Sequence, residues 1–270
     1  MRSGRHMRHA RSLRRVAIVL SFVVSWTSVS PLRARADDVS IPEHIKRFAR
    51  DGVYVAASPL RLGLGDLLPL ALVGGAIGAT IAYDGPLHDR MAGLRHWGGA
   101  GDLTTAGDVL QYGGLIGGAG MYAYGRAADD ARAIDQAWAQ ADGALWAVVA
   151  TESLKYVVGR ERPDLGHPHA FHPFSGNTSL PSGHTVPAFT AATIAVEEYP
   201  SLATAVPLFT LATAVGVSRI AADEHWTGDV VASAALGVVI GHILYRVHAR
   251  PSDDWSMDVR SGMVEITRRW

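Results

Sequence analysis

The sequence predicts an all-α fold, a helical bundle of about six apolar core helices. Hydrophobic residues make up 48% of the 270-residue chain and charged residues only 19%, below the roughly 25% usual for soluble domains. The hydrophobic residues gather in six stretches of helical length that are apolar on most faces. Helices of that kind are buried either in a protein core or in lipid.

The six stretches lie at about 67–83, 109–124, 141–158, 185–198, 201–219 and 228–247. We therefore assign residues 67–250 to one helical domain. Turn-forming residues, among them Asp84-Gly85-Pro86, and a long segment from Gly159 to Leu180 separate the stretches. Pairs of glycines one turn apart predict close helix contacts at Gly74 and Gly78, Gly113 and Gly117, and Gly114 and Gly118.

The sequence pattern of residues 1–36 predicts a signal peptide. A basic stretch through Arg15 precedes an apolar run at 16–29, and the small-residue pattern at 34–36 fits a cleavage site. The apolar run is shorter than the about 20 residues that span a bilayer comfortably. An uncleaved membrane anchor is the alternative. Both interpretations take the chain to or across the bacterial inner membrane.

Two polar segments flank the helical domain. Residues 37–66 form a mixed, polar lead-in, which fits either an amphipathic helix or an irregular segment. Residues 251–270 form a tail whose alternating pattern turns at Ser261-Gly262. That pattern fits a small β-hairpin, and a disordered tail is the alternative.

Composition excludes several classes of function. Lys plus Arg and Asp plus Glu each total 25, so no net charge favours nucleic acid as a partner. The chain contains no cysteine, which excludes a disulfide, a thiolate metal site and a cysteine nucleophile. Neither a metal nor a cofactor is predicted, and the sequence leaves the oligomeric state open.

Three short strings carry the candidate chemistry, and the last of them contains Ser218-Arg219, His225 and Asp229. His225 and Asp229 are four residues apart, so on a helix they would share one face. The carboxylate could then accept a hydrogen bond from one ring nitrogen and leave the other free as a nucleophile. The alternative is that the aspartate only caps a helix and the histidine is exposed.

The middle string, Pro181-Ser182-Gly183-His184, directly precedes the fourth apolar stretch. Backbone N–H groups at a helix N-terminus bind anions, and a glycine lets the chain approach the anion closely. His184 is then placed to give a proton to a departing alkoxide. A serine that caps the helix beside an incidental histidine is the alternative.

The first string joins Lys155 to Arg162-Pro163, two helical turns later. Both side chains could reach one anion, because Arg offers a planar fork for phosphate oxygens and Lys adds a point charge. Two basic residues at a membrane interface are the alternative. Arg219, at the end of the fifth stretch, is a third cation.

All three strings lie at the ends of consecutive apolar stretches. Because the connection from Glu197 to Pro200 is short, the fourth and fifth helices are predicted to be antiparallel. The loops that carry the strings then emerge at one end of the bundle. Cations, imidazoles and a helix N-terminus would meet there and hold a phosphate, so the sequence predicts the active site at this end.

Together the strings resemble the superfamily of type 2 phosphatidic-acid phosphatases and vanadium-dependent haloperoxidases. Its motifs are Lys-x6-Arg-Pro, Pro-Ser-Gly-His and Ser-Arg-x5-His-x3-Asp, and every position matches here. The resemblance covers roughly residues 67–247 and implies an α-helical bundle. It implies that the phosphoryl oxygens are held by Lys155, Arg162, Ser182, Gly183 and Arg219. It also implies that His225 forms a phosphohistidine, oriented by Asp229, with His184 as general acid.

The resemblance implies a metal-independent phosphatase that hydrolyses phosphomonoesters. Apolar helices around the site favour a lipid-linked phosphate, such as phosphatidate, a prenyl pyrophosphate or a lipid A phosphate. A soluble periplasmic acid phosphatase acting on a small phosphomonoester is the alternative within the same superfamily. The sequence also leaves open a vanadate-dependent haloperoxidase and a membrane binding protein without turnover.

The predicted location is the inner membrane with a periplasm-facing site, or the periplasm itself. A cleaved signal followed by six full spans would instead place the site in the cytoplasm. Either the signal is not simply cleaved, therefore, or some of the six helices do not span the membrane.

The segment between the first two motifs contains His167, His169 and His172. A lid, or a loop that contacts a lipid headgroup, is favoured here over a metal site. Loop histidines at mobile spacing make a poor ligand set without further partners.

Overall fold

The computed structural model describes residues 41–58, 62–248, 255–260 and 263–268. Over these residues the predicted all-α class is confirmed, since ten α-helices make up the bundle. The helices are α1 Ile41–Ala57, α2 Leu67–Ala82, α3 Asp84–Arg90, α4 Ala92–Arg95, α5 Ala100–Leu110, α6 Gly113–Ala128, α7 Ala131–Val158, α8 Thr185–Glu198, α9 Leu202–Ala221 and α10 Thr227–His248. The predicted signal peptide at 1–36 lies outside the described residues.

Each of the six predicted stretches corresponds to a long helix, and the differences lie at the boundaries. Helix α7 begins at Ala131 rather than near 141, because the side chain of Asp130 accepts hydrogen bonds from the first backbone N–H groups. It ends at Gly159, which adopts φ 59°, a left-handed conformation that glycine tolerates. Within the polar lead-in 37–66, the chain forms the amphipathic helix α1 rather than an irregular segment.

Helix α8 lies at the centre of the bundle, in contact with α6, α7, α9 and α10. One cluster of buried side chains joins α8 to α7 and α10, and it consists of Ala139, Ala147, Val186, Ile194, Ile240 and Leu244. A second cluster joins α8 to α9, and it consists of Ala188, Ala192, Ala212 and Val215. The first cluster combines alanines with larger aliphatic side chains, and the second is mostly alanine. Such close-packed clusters hold the helices, and hence the residues at their ends, in fixed relation.

Close packing occurs at only some of the predicted glycine pairs. A Cβ added to Gly114 would lie 2.5 Å from Cβ of Ala191, and one added to Gly118 would lie 3.0 Å from Cβ of Gln140. The other two predicted pairs have no described atom within 4 Å of such a Cβ. The contact between α10 and α8 depends instead on Gly237, where a Cβ would lie 2.6 Å from a backbone oxygen of α8.

Three of the described helical segments are long and apolar enough to cross a membrane, namely Leu64–Ala82, Leu202–Ala221 and Thr227–His248. The first segment buries none of its residues against the rest of the protein. Its leucines are exposed, for example Leu68 and Leu72, each at 67%. So large an apolar surface fits contact with lipid rather than water, which supports a membrane protein.

The tail 251–270 contains two short strands, β1 Trp255–Arg260 and β2 Met263–Arg268. They pair antiparallel, with Arg260 opposite Met263. Residues 261–262, where the alternating pattern of the sequence predicts the turn, lie outside the described residues.

Candidate active site

Four helix ends meet at one end of the bundle and carry the predicted site residues. Lys155 lies near the C-terminus of α7, His184 directly before α8, Arg219 near the C-terminus of α9, and Asp229 in the first turn of α10. Only residues 199–201 connect α8 to α9, which pack against each other. The chain therefore reverses direction between them, and the three strings come to the same end.

His225 lies in the turn between α9 and α10 and is only 3% exposed. Its Nδ1 lies 2.6 Å from the backbone carbonyl oxygen of Ser179. Because a carbonyl oxygen can only accept a hydrogen bond, Nδ1 carries the proton, and the neutral ring keeps a free lone pair on Nε2. An imidazole anchored through one nitrogen and unprotonated at the other is an oriented nucleophile.

Asp229 does not hold the imidazole directly, which differs from the predicted hydrogen bond. Its Oδ2 lies 3.9 Å from Nδ1 of His225, beyond hydrogen-bond distance. This oxygen accepts instead from the hydroxyl of Ser179 at 2.6 Å and from the backbone N–H of Trp226 at 3.0 Å. Since α10 begins only at Thr227, His225 precedes the helix and the four-residue spacing does not bring the pair together. Asp229 fixes Ser179, and Ser179 fixes the ring.

Arg160, which lies outside the three motifs, pairs with two carboxylates of this region. It is fully buried, with Nη1 2.5 Å from Oδ1 of Asp229 and Nη2 2.7 Å from Oδ2 of Asp84. Nη2 also donates to the backbone carbonyl of Pro168. Buried carboxylates are costly unless they are paired, so this one cation stabilises two of them. In the sequence, the one indication of this role is that Arg160 lies two residues before Arg162 of the first motif.

Asp84, at the start of α3, connects that helix with the start of α10. Its Oδ1 accepts from the backbone N–H of Gly228 at 2.8 Å. Burial raises the pKa of Asp84, and the hydrogen bond from Arg160 opposes that shift. A Cβ added to Gly228 would lie 2.6 Å from Oδ2 of Asp84 and 2.7 Å from Cγ1 of Ile81. The absence of a side chain at Gly228 therefore lets the two helix ends meet beside the turn that carries His225.

The Pro-Ser-Gly-His string forms the entry to α8. The backbone N–H of Ser182 donates to Oγ of Ser233 at 2.7 Å, and Oγ of Ser182 accepts from the hydroxyl of Thr185 at 3.0 Å. A Cβ added to Gly183 would lie 3.4 Å from Nζ of Lys155. The glycine thus brings an ammonium group up to a helix N-terminus, which itself attracts anions.

His184 and Arg219 lie side by side, with Nε2 of the imidazole 3.3 Å from Nη1 of the guanidinium. The guanidinium is 1% exposed and the imidazole 25% exposed. Burial, followed by the positive charge of Arg219, lowers the pKa of His184. A phosphate bound between the two side chains would act in the opposite direction, because a negative charge favours the protonated imidazole.

Arg162 lies at the start of the 3-10 turn Pro163–Leu165. Its Nε is buried and has no hydrogen-bond partner among the described residues. A buried donor without a partner is costly, and an oxygen of a bound anion would satisfy it.

The three loop histidines connect their loop to Glu161 and to the end of α2. Nδ1 of His167 lies 2.8 Å from Oε2 of Glu161, and Nε2 of His172 lies 3.1 Å from Oε1 of the same carboxylate. His169 contacts the backbone carbonyl of Ile81, at the end of α2, at 3.0 Å. A lid role for this loop stays a prediction.

A second ionic cluster lies at the end of α10 that is remote from His225. Nε2 of His248 lies 3.0 Å from a carboxylate oxygen of Asp51 and 3.0 Å from one of Asp142. Arg50 contacts the other oxygen of Asp51 at 3.3 Å. These pairs link α1 to α7 and α10, so the imidazole and the guanidinium compensate the two carboxylates and anchor the N-terminal helix.

Comparison with known proteins supports the resemblance seen in the motifs. Residues 137–253 match the family model described as PAP2 superfamily, and this region contains all three strings. The predicted resemblance is confirmed over that region. A solved structure, of a transmembrane PAP2 type phosphatidylglycerolphosphate phosphatase from Bacillus subtilis, covers 74% of this chain and 93% of its own. Its identity is 21% and its TM-score 0.32, too low to support conclusions about the site.

Three curated relatives are each named Lipid A 1-phosphatase. The one from Porphyromonas gingivalis is 30% identical over 224 residues, which cover 80% of this chain and 45% of the relative. Those from Rhizobium johnstonii and Rhizobium etli are each 36% identical over 105 residues, 36% of this chain. These matches cover 41% and 44% of the two relatives. The chain thus spans less than half the length of the curated relatives it matches.

Proposed function

We propose that this chain, whose residues 137–253 match the PAP2 superfamily, is a metal-independent phosphatase that hydrolyses phosphomonoesters on lipids through a phosphohistidine. The observation that carries the proposal is the hydrogen bond made by the His225 imidazole. Its Nδ1 is committed to the carbonyl of Ser179, so Nε2 is free to attack phosphorus. The groups predicted to hold the phosphate are cations and a helix N-terminus, which need no metal to bind an anion.

In the first step, Nε2 of His225 attacks phosphorus in line, and the bond between phosphorus and the ester oxygen breaks. His184 gives its proton to the departing alkoxide. Lys155, Arg162 and Arg219 neutralise the charge that develops on the equatorial oxygens. In the second step, water attacks phosphorus, His184 accepts a proton from that water, and the bond to Nε2 breaks. Inorganic phosphate leaves and His184 is protonated again.

A lipid-linked substrate is supported by the apolar surface and by the relatives. Three described helices are long and apolar enough to cross a membrane, so a site at the end of the bundle would lie near lipid headgroups. Curated relatives are named Lipid A 1-phosphatase. We therefore propose a lipid A phosphate as the first substrate to test, ahead of phosphatidate and prenyl pyrophosphate.

The test uses the full chain purified in detergent. We expect release of inorganic phosphate from lipid A and undiminished release after EDTA treatment and dialysis, because the proposed site uses no metal. A soluble aryl phosphate serves as the comparison substrate. A kcat/KM that favours the soluble ester over every lipid phosphate would contradict the lipid assignment. Loss of activity on chelation, restored by a divalent ion, would contradict the metal-independent mechanism.

A periplasm-facing site is part of the proposal, and the absence of cysteine makes it simple to test. A Ser175→Cys variant would carry a unique thiol in the exposed loop at the site end. A Leu202→Cys variant would carry one at the start of α9, where Leu202 is 79% exposed. Because α9 has 20 residues, this position is about 30 Å from the end of α9 that lies at the site.

In cells with a permeabilised outer membrane, an impermeant maleimide is expected to label the first variant directly. It should label the second variant only after lysis. The reverse pattern would place the site in the cytoplasm. Labelling of both variants before lysis would favour the soluble periplasmic alternative.

A further inference from the structure

Asp108, on α5, lies against two residues of the proposed site although it belongs to none of the three motifs. Its Oδ1 lies 2.8 Å from Nη1 of Arg219 and 3.3 Å from Nε2 of His184. One turn earlier on the same helix, the backbone carbonyl of Thr104 accepts a hydrogen bond from Nη2 of Arg219 at 3.0 Å. One helix therefore supplies two acceptors to the same guanidinium.

Close packing of α5 against α9 allows this contact. Gly107, beside Asp108, is buried. A Cβ added to Gly107 would lie 2.7 Å from Cβ of Ser218 and 3.2 Å from Nη2 of Arg219. Any other residue at this position would push α5 away from α9. The approach of Asp108 to the site is thus built into the helix packing rather than being a chance pairing of surface side chains.

The hydrogen bonds of Arg219 leave it able to bind an anion as well. A guanidinium has five N–H donors. Nε donates to Oγ of Ser218, Nη2 to Thr104 and Nη1 to Asp108. Nη1 also lies 3.3 Å from Nε2 of His184. The second N–H of Nη2 remains for a phosphoryl oxygen, so Asp108 can fix the guanidinium without occupying all of its donors.

We propose that Asp108 is a positioning residue for this reaction, which fixes the guanidinium of Arg219 and orients the imidazole of His184 toward the departing alcohol. The proposal rests on the function proposed above. It explains why a carboxylate stands at the edge of a site for anions. Its negative charge acts on the imidazole that must deliver a proton, and it offsets the neighbouring positive charge.

The charged and titratable groups around His184 set the direction of the effect. Burial, Arg219 and His225 lower its pKa, whereas Glu224 and Asp108 raise it. Removing the charge of Asp108 therefore lowers the pKa of His184 further. Because the proposed acid is active only when protonated, the alkaline limb of the kcat profile should move to lower pH.

The test compares Asp108→Asn with Asp102→Asn, a control at an exposed position of the same helix. Asparagine keeps the size of the side chain and removes its charge. For an alkyl phosphate, whose leaving group needs a proton, we expect Asp108→Asn to lower kcat about tenfold and to move the alkaline limb down by roughly one pH unit. For p-nitrophenyl phosphate, whose leaving group is stable as an anion, kcat should fall by less than about threefold. The control should match wild type, and Asp108→Glu should restore part of the loss.

A titration of the His184 imidazole by NMR provides a readout that needs no activity. Asp108→Asn is expected to lower the pKa of His184 relative to wild type and to Asp102→Asn. If the wild-type chain hydrolyses neither ester, the proposed function fails, and the NMR titration alone decides whether Asp108 tunes the ring. An unchanged pKa overturns the inference. Equal losses on both esters, with an unshifted pH profile, also overturn it, because Asp108 would then be only structural.

Discussion

Replacing His225 with Gln is expected to lower kcat by roughly 10⁴-fold or more, because the side chain that attacks phosphorus is lost. Binding of inorganic phosphate should survive, with Kd changed by less than about tenfold, since the cations and the helix N-terminus that hold the anion remain. Steady-state hydrolysis of a lipid phosphate measures the first quantity. Isothermal titration with inorganic phosphate measures the second and does not depend on turnover.

His242→Gln is the matched control for this substitution. His242 lies on α10 and contacts Oε1 of Glu197 at 2.6 Å, remote from the helix ends that form the site. We expect its kcat to stay within about threefold of wild type. Retention of substantial activity by His225→Gln would show that another group is the nucleophile. Loss of phosphate binding as well would show that His225 acts chiefly in holding the anion.

Replacing Arg160 with Met is expected to lower the free energy of unfolding by roughly 3–5 kcal/mol, because two fully buried carboxylates lose their common cation. Denaturant unfolding in detergent measures this change. Activity should fall too, since Asp229 would no longer be held from both sides. The destabilisation should shrink as pH falls, because burial already raises the pKa of Asp84 and a protonated carboxyl needs no partner.

Two comparison variants make the Arg160 prediction specific. Arg162→Met removes a guanidinium whose Nε has no partner among the described residues. It should change stability by less than about 1 kcal/mol while weakening phosphate binding. Combining Arg160→Met with Asp84→Asn should recover part of the lost stability, because one uncompensated charge is removed. Equal effects of the two arginine substitutions on stability would contradict the buried role of Arg160.

The general position of the site can be predicted from the sequence, because two local features determine it. The apolar stretches predict the helices, and the residues that can bind phosphate or transfer protons lie at the helix ends. Chain reversal alone is therefore enough to place Lys155, His184 and Arg219 at one end of the bundle. Neither feature requires knowledge of which residues distant in sequence come into contact.

The supporting contacts could not be predicted, because they join segments that are far apart in the sequence. Asp84 meets Arg160 across 76 residues, and Asp108 meets Arg219 from another helix. The turn signal at Asp84-Gly85-Pro86 predicts a loop, whereas the aspartate is buried at the start of a helix. The predicted bond between His225 and Asp229 requires both residues to lie on one helix, and the helix begins two residues after the histidine.

The formation of phosphohistidine at position 225 is tested most directly by trapping it. The wild-type protein is mixed for less than one turnover with a lipid phosphate carrying a radiolabelled phosphoryl group. It is then denatured at alkaline pH, because the bond between phosphorus and nitrogen is labile in acid, and it is digested. We expect the label on the peptide that contains His225 and on no peptide of the His225→Gln variant. Label on another side chain, or hydrolysis within that single turnover without any labelled peptide, would contradict the mechanism.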